Sequence, residues 1–126
     1  MRMLLTSNGV TNDSIRSALL ELLGKPTSES RIVAVIDAIL PFPGDKGHMF
    51  AHLEALRALG WEEFDVMSLL AGPRSGIESR LRSADVVFCY GGSNNWLAHV
   101  WVSAGCAPLL RELLVVGVLE ELAADL

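Results

Sequence analysis

Short apolar runs alternate along this chain with segments of helical periodicity, and this alternation constrains the fold more than any other feature. The runs cover residues 3–6, 32–36, 64–69 and 86–90. The second and fourth are almost entirely apolar and rich in β-branched or aromatic residues, which is typical of strands buried on both faces of a parallel sheet. The run 64–69 alternates more between apolar and polar residues, so we expect it to lie nearer an edge.

The segment after the first run carries the clearest helix signals. Leu19 and Leu22 lie on the same face of a helix, together with apolar residues one turn before and after them. Asn12 or Thr11 can cap the start of this helix, and Gly24 is suited to end it. The sequence therefore predicts a helix between the first two strands.

Further helices are predicted at 46–59 and around Ile77 and Leu81. Strands that alternate with helices of this length form right-handed crossovers around one parallel sheet. Residues 115–122 begin like a fifth strand and continue like a helix. We therefore predict a single three-layer α/β domain over residues 1–126, flavodoxin-like or Rossmann-like, with a mostly parallel sheet of four or five strands and helices on both faces.

Composition excludes several classes of function. The chain carries 10 Lys and Arg against 15 Asp and Glu, a net charge of -5, and its positive residues form no run. A sequence-independent nucleic-acid binder needs a basic stripe, so we expect no nucleic-acid partner. The apolar fraction of 51% suits a sheet that is covered on both faces, and it is equally compatible with an exposed partner face.

Targeting and cysteine patterns predict a cytoplasmic protein. No stretch of about 18 uninterrupted apolar residues occurs, so we expect no membrane span. The first residues become polar too quickly for a signal peptide. Cys89 and Cys106 form neither a metal-binding spacing nor a disulfide framework, and we interpret both as buried or half-buried free thiols in a reducing compartment.

Polar and glycine residues follow the predicted strands where each strand ends. Asn8 and Gly9 follow the first strand, Asp37 follows the second, and Gly92 and Asn94 follow the fourth. Ligands of open α/β sheets bind at the carboxyl ends of the strands, so these residues form our candidate pocket. A cap or loop role is an equal alternative for Asp37. The loop 41–47 crosses the same edge, either as a lid or as a plain connection.

The three histidines give no firm site. His48 and His52 are four residues apart on one predicted helix, which allows a metal pair, but no third ligand accompanies them. A solvated helix face is therefore the preferred interpretation. His99 lies in an apolar helix and is interpreted as a packed residue with one hydrogen bond. We predict no metal and no cofactor.

Four segments, in order, resemble the dipeptidase E family of serine peptidases, also called peptidase E or aspartyl dipeptidase. They are residues 4–9 (LLTSNG), 56–61 (LRALGW), 83–87 (SADVV) and 91–95 (GGSNN). The resemblance covers residues 1 to about 114. It implies a class I glutamine-amidotransferase-like fold and hydrolysis of small Asp-X dipeptides without a metal or an organic cofactor.

The resemblance also implies where catalytic groups lie. In the family, the nucleophilic serine stands on a Gly-x-Ser-Ala-Gly elbow after the next strand, and a later histidine is its base. Backbone N–H groups of the glycine turn, here Gly91 and Gly92, complete the oxyanion hole. This chain departs at Ser93 and Asn95, where the family has glycine and threonine. It also shows neither the elbow nor the later histidine, so we expect it to be catalytically incomplete and inactive alone.

Ser103 is the one tempting substitute for the missing nucleophile. Residues 102–105 read VSAG, like the last four residues of the elbow. An elbow must follow a buried strand, whereas Ser103 follows the helical segment 96–101, and Trp101 replaces the first glycine. We interpret Ser103 as a loop residue between this segment and a second helical stretch at 109–114.

Two alternatives to a peptidase remain open. A missing fifth strand would leave a sheet edge and an apolar face uncovered, which favours a non-catalytic module that self-associates as a homodimer or higher oligomer. A flavodoxin-like small-ligand domain is the other, although neither phosphate-binding glycine motif is present. With the peptidase interpretation, the expected partner is a small peptide substrate.

Overall fold

The computed structural model describes residues 2–5, 10 and 12–117. Within them, five parallel strands form one sheet in the order β1-β5-β4-β2-β3. The strands are β1 Arg2–Leu5, β2 Arg31–Val35, β3 Glu63–Met67, β4 Val86–Cys89 and β5 Leu114–Gly117. The predicted α/β class is confirmed, and β3 lies at an edge as its alternating pattern predicted.

Four α-helices connect these strands within the described residues: α1 Asp13–Leu23, α2 Gly47–Arg57, α3 Arg74–Ser83 and α4 Asn94–Ser103. Two short 3-10 helices, Thr27–Glu29 and Ala107–Glu112, complete the pattern. The predicted helical stretch at 109–114 is thus wrong in its bounds, because the 3-10 helix gives way to β5 at Leu114. The segment 115–122 does begin as a strand, because β5 covers residues 114–117 and lies between β1 and β4. The expectation of a sheet edge left uncovered by a missing fifth strand was therefore wrong. Residues 118–122 lie outside the described residues.

The helices cover the two faces of the sheet in pairs. Apolar residues of α1 and α2 pack on one face against Ile32 and Phe88, and those of α3 and α4 pack on the other against Val33 and Val87. This division follows from right-handed crossovers, because the chain steps one way from β1 to β3 and the opposite way from β3 to β5. The loops after β2 and β4, which are neighbours in the sheet, therefore lead to opposite faces.

The first helix begins and ends as its sequence signals predicted. Asn12 Oδ1 accepts a hydrogen bond from the Ile15 backbone N–H at 2.9 Å, and so caps the amino end of α1. Gly24 adopts a left-handed conformation with φ of 73° and donates its N–H to the Leu20 carbonyl. The alternative cap, Thr11, lies outside the described residues.

Candidate active site

The glycine turn after β4 is fixed against the loop after β2. Gly92 has a φ of 156°, and a Cβ atom at this position would stand 2.2 Å from the Ala38 carbonyl oxygen. The next residue, Ser93, donates its N–H to that same oxygen at 2.8 Å. Only glycine allows such a close backbone approach, so the sequence places this turn where side chains are excluded.

Ser93 stands where the family that the sequence resembles has a third glycine, and it caps the amino end of α4. Its backbone is extended, and its Oγ accepts a hydrogen bond from the Trp96 N–H at 3.2 Å. The helix begins at Asn94, two residues before the predicted start at 96. The departure at Ser93 therefore supplies a helix cap. Gly91, Gly92 and Asn94 lie together at the amino end of α4, where the helix dipole favours negative charge.

Asp37, at the end of β2, is buried and bonded within the protein. Its Oδ1 accepts a hydrogen bond from Ser68 Oγ at 2.6 Å, and its Oδ2 accepts one from the Leu69 N–H at 3.0 Å. Ser68 Oγ in turn accepts a hydrogen bond from the Leu70 N–H at 3.2 Å. Asp37 therefore ties the loop after β2 to the loop after β3, in addition to facing a pocket.

That pocket, of about 300 Å³, opens beside the glycine turn at the carboxyl edge of the sheet. We call it the apolar pocket, and its lining consists of Asp37, Leu40, Pro41, Ser68, Leu70 and Trp96. Two of its lining residues lie close in sequence to residues of the turn or its contact. Asp37 directly precedes Ala38, whose carbonyl accepts the Ser93 N–H, and Trp96 lies in the first turn of α4. The predicted pocket residues Asn8 and Gly9 lie outside the described residues.

The loop 41–47 holds itself in place through Lys46. Its Nζ donates hydrogen bonds to the carbonyl oxygens of Phe42, at 2.6 Å, and Gly44, at 3.0 Å. Pro41 lines the apolar pocket, so the loop contributes to the site at its start. Whether the loop is a lid or a plain connection, its start lies at the pocket and Lys46 holds its later residues together.

Ser103 is the last residue of α4, not a residue of a loop between two helical stretches as predicted. Its Oγ lies 3.3 Å from His99 Nε2. His99 is exposed and stacks on Trp96 with ring centroids 5.3 Å apart. Its interpretation as a packed residue was therefore wrong, although it has the one hydrogen-bonding partner that was expected. At about 1.5 Å per residue, the length of α4 places Ser103 about 15 Å from the glycine turn. Ser103 therefore stands too far away to act on a group bound at the turn.

His52 has a partner that the sequence did not reveal. Its Nδ1 lies 3.0 Å from the Tyr90 hydroxyl, while His48 is exposed on the same helix. The solvated-face interpretation thus holds for His48 but not for His52. Burial raises the pKa of Tyr90, which directly precedes the glycine turn. In the part of the chain that the structure describes, no three His, Cys, Asp or Glu side chains form a group suited to a metal ion.

Both cysteines are free and buried, as predicted. Burial raises the pKa of Cys89 to about 12, and the Trp101 indole N–H beside the thiol opposes this only in part. Among the described residues, that indole nitrogen has no oxygen or nitrogen acceptor, and the Cys89 thiol is the group beside it. A thiol with so high a pKa is almost entirely protonated at neutral pH, which excludes Cys89 as a nucleophile in this fold.

These features define an open parallel α/β protein with a pocket at the carboxyl ends of β2, β3 and β4. The model of peptidase family S51 matches residues 3–119, and the chain belongs to that family. This match confirms the resemblance to the peptidase E family. A comparison with curated proteins finds no significant match. None of the described helices has the length and apolar character needed to cross a membrane.

Proposed function

We propose that the chain forms the peptide-binding side of a family S51 serine peptidase site. The observation that carries this proposal is the contact of Gly92 with the Ala38 carbonyl, which fixes the glycine turn at the amino end of α4 and beside a pocket. Membership in a peptidase family supports it. The substrate is a small peptide, of the Asp-X type that the family resemblance implies.

In this proposal, the turn binds the carbonyl of the scissile peptide bond. Backbone N–H groups of Gly91 and Gly92 donate to the carbonyl oxygen, and the amino end of α4 adds the positive end of its dipole. Negative charge grows on that oxygen when a nucleophile attacks, so donors fixed in advance stabilise the transition state more than the substrate. No metal or organic cofactor takes part.

We further propose that the chain alone binds peptides without cleaving them. Ser103 is in contact with His99 but lies about 15 Å from the turn, given the rise of about 1.5 Å per residue in α4. Burial raises the pKa of Cys89 to about 12 and keeps its thiol protonated. Neither residue is therefore suited to act as a nucleophile at the turn.

The test compares two glycine substitutions in the full chain. Gly92→Ala forces a Cβ into the Ala38 carbonyl, whereas Gly60→Ala, also at positive φ, meets no atom within 4 Å. Binding of Asp-Leu is followed by nuclear magnetic resonance titration, and its cleavage by release of free leucine. We expect binding by the unmodified chain and by Gly60→Ala, loss of binding in folded Gly92→Ala, and no cleavage.

Two results would overturn the proposal. Absence of Asp-Leu binding by the unmodified chain would remove the binding role of the turn. Cleavage that disappears in Ser103→Ala would show that the chain is catalytic on its own, through the serine that the geometry excludes. Circular dichroism of each variant separates loss of binding from loss of fold.

Self-association is a second candidate, favoured by exposed apolar residues near one edge of the sheet. Val66 on the edge strand β3 is 42% exposed, and Phe50 on α2 is 65% exposed. An edge strand with unpaired backbone groups and an apolar neighbour can pair with a second copy. Sedimentation at micromolar concentration tests this candidate, because Val66→Lys should shift a dimer to a monomer, whereas a monomeric unmodified chain rejects it.

A further inference from the structure

We propose that the apolar pocket receives an apolar or aromatic side chain of the bound peptide, namely that of residue X in an Asp-X substrate. This inference rests on the proposed function, because it takes the peptide carbonyl to lie at the glycine turn. It goes further in assigning a chemical class to one subsite. The family match gives no such assignment.

The first support is the concentration of exposed apolar side chains around one concavity. Leu40 is 49% exposed, Leu70 is 52% exposed and Trp96 is 37% exposed, and all three line the apolar pocket. Single exposed apolar residues are ordinary, but large ones that converge on one pocket mark a binding site. A ligand side chain that covers them would release the water now held against them.

The side chain and the main chain of Trp96 are both held in place by neighbouring residues. Its indole stacks on the His99 ring with centroids 5.3 Å apart and an interplanar angle of 30°. The backbone N–H of Trp96 is fixed by Ser93 Oγ, so the residue is held at both its main chain and its ring. A fixed indole stacks on an aromatic ligand at little entropic cost, and we infer that phenylalanine-like side chains bind best.

The size of the pocket sets an upper limit on its occupant. A volume of about 300 Å³ is at the lower end of the range for pockets that hold small molecules. It suits one side chain better than a larger ligand. The occupant is therefore a single residue, which agrees with a dipeptide.

Charge decides against an acidic occupant. Among the described residues that line this pocket, Asp37 is the one charged residue, and its carboxylate is already bonded to Ser68 and Leu69. No cationic side chain accompanies it among the lining residues. An aspartyl side chain placed here would meet a like charge without a counter-ion, which is costly in a partly desolvated site. The acidic residue of an Asp-X substrate must therefore bind elsewhere.

The turn and the pocket are formed by neighbouring residues of the same two segments. Ala38 touches Gly92 and directly follows Asp37, while Trp96 lies three residues beyond Ser93. One extended residue spans about 3.5 Å, so a carbonyl at the turn leaves the neighbouring side chain within reach of the pocket. The turn and the pocket therefore act as adjacent subsites.

The experiment measures dissociation constants of a dipeptide series by calorimetry on the full chain. The probes are Asp-Phe, Asp-Ala and Asp-Asp. We expect Asp-Phe to bind about tenfold more tightly than Asp-Ala, from ring burial and stacking, and Asp-Asp to bind most weakly. Equal affinities for Asp-Phe and Asp-Ala would overturn the assignment.

Variants locate the effect. Trp96→Ala should abolish the preference for Asp-Phe, Trp96→Phe should retain most of it, and Phe50→Ala, on α2, should leave it unchanged. Leu70→Ser, at a half-exposed position, gives an independent test if Trp96→Ala fails to fold. A preference for Asp-Phe that survives both Trp96→Ala and Leu70→Ser would overturn the assignment.

A further ligand separates this inference from the proposed function. An Asp-Phe analogue in which a trans carbon–carbon double bond replaces the peptide bond keeps the ring and the net charge but cannot accept a hydrogen bond from the turn. Equal binding of Asp-Phe and the analogue, with the ring preference intact, supports the pocket and counts against the carbonyl-binding turn. Weaker binding of the analogue, together with equal binding of Asp-Phe and Asp-Ala, supports the carbonyl-binding turn and counts against the pocket.

Discussion

The Asp37 carboxylate accepts a hydrogen bond from the Ser68 hydroxyl at 2.6 Å and so joins the loops that follow β2 and β3. A second hydrogen bond, from the Leu69 N–H, fixes its other oxygen. Asp37 is 1% exposed and Leu69 is 2% exposed, so the Leu69 N–H cannot turn to water if the carboxylate is removed, whereas the Ser68 hydroxyl, at the pocket, can. Asp37 therefore stabilises the two loops that line the apolar pocket.

Replacing this carboxylate by an amide should destabilise the fold. In Asp37→Asn the amide oxygen can accept from the Leu69 N–H and the amide NH2 can donate to the Ser68 hydroxyl, so both hydrogen bonds can form but neither is charge-assisted. We expect the free energy of unfolding to fall by about 2 kcal/mol. Urea denaturation measures this. Asp13→Asn, with a side chain 93% exposed, is the control, and an equal loss in both variants would contradict the argument.

The close approach of Gly92 to Ala38 predicts a large difference between two glycine substitutions. Gly92→Ala places a Cβ atom 2.2 Å from a backbone oxygen, and backbone cannot move aside as a flexible side chain can. We expect a loss of about 3 kcal/mol or more in the free energy of unfolding. Gly60→Ala, where φ is 83° and space is open, should lose about 1 kcal/mol from left-handed strain alone. Similar losses by chemical denaturation would refute the role given to the contact.

Features that depend on local sequence could be predicted well. The four apolar runs predicted β1 to β4, while β5 was left open. Asn12 and Gly24 predicted the ends of α1, and the glycine pair predicted the turn after β4. Each of these depends on residues within a few positions of one another. Periodicity and capping record such local preferences directly.

Contacts between distant segments could not be predicted in the same way. Asp37 with Ser68 and His52 with Tyr90 join residues 31 and 38 positions apart. They depend on strand order and register, which periodicity does not specify. His99 was misjudged for a related reason, because its helix is apolar on average while its own position faces solvent next to Trp96. The sequence predicts a loop at Ser103, whereas α4 extends to that residue. The stop signal at Gly105 shows that a helix ends nearby but does not fix its last residue to within one or two positions.

Asp85 predicts a loss of stability in acid. Partial burial of its carboxyl acts to raise the pKa, but hydrogen bonds from Lys25 and from the Arg31 N–H outweigh burial and hold the pKa below its ordinary value of 3.8. A carboxyl whose pKa is lower in the folded state stabilises the fold above the unfolded pKa. This contribution disappears as pH falls through the folded pKa.

We therefore expect Asp85→Asn to reduce the difference in unfolding free energy between pH 7 and pH 3. The variant should be less stable than the unmodified chain at pH 7, and the gap should narrow in acid. Urea denaturation at both pH values measures the two gaps. A gap that is constant with pH would show that Asp85 acts through packing or shape instead of through its charge.

Burial of both cysteines predicts unreactive thiols in the folded protein. Cys89 has a pKa of about 12, raised by burial, and burial also raises the pKa of Cys106. Since the thiolate is the reactive form, a disulfide reagent at pH 8 should react far more slowly with the native chain than with the chain in urea, where both thiols should titrate rapidly. Rapid native labelling of Cys89, located by mass spectrometry, would contradict the burial of β4. It would also reopen the question of a cysteine nucleophile beneath the glycine turn, because Cys89 is the last residue of β4 and lies two positions before Gly91.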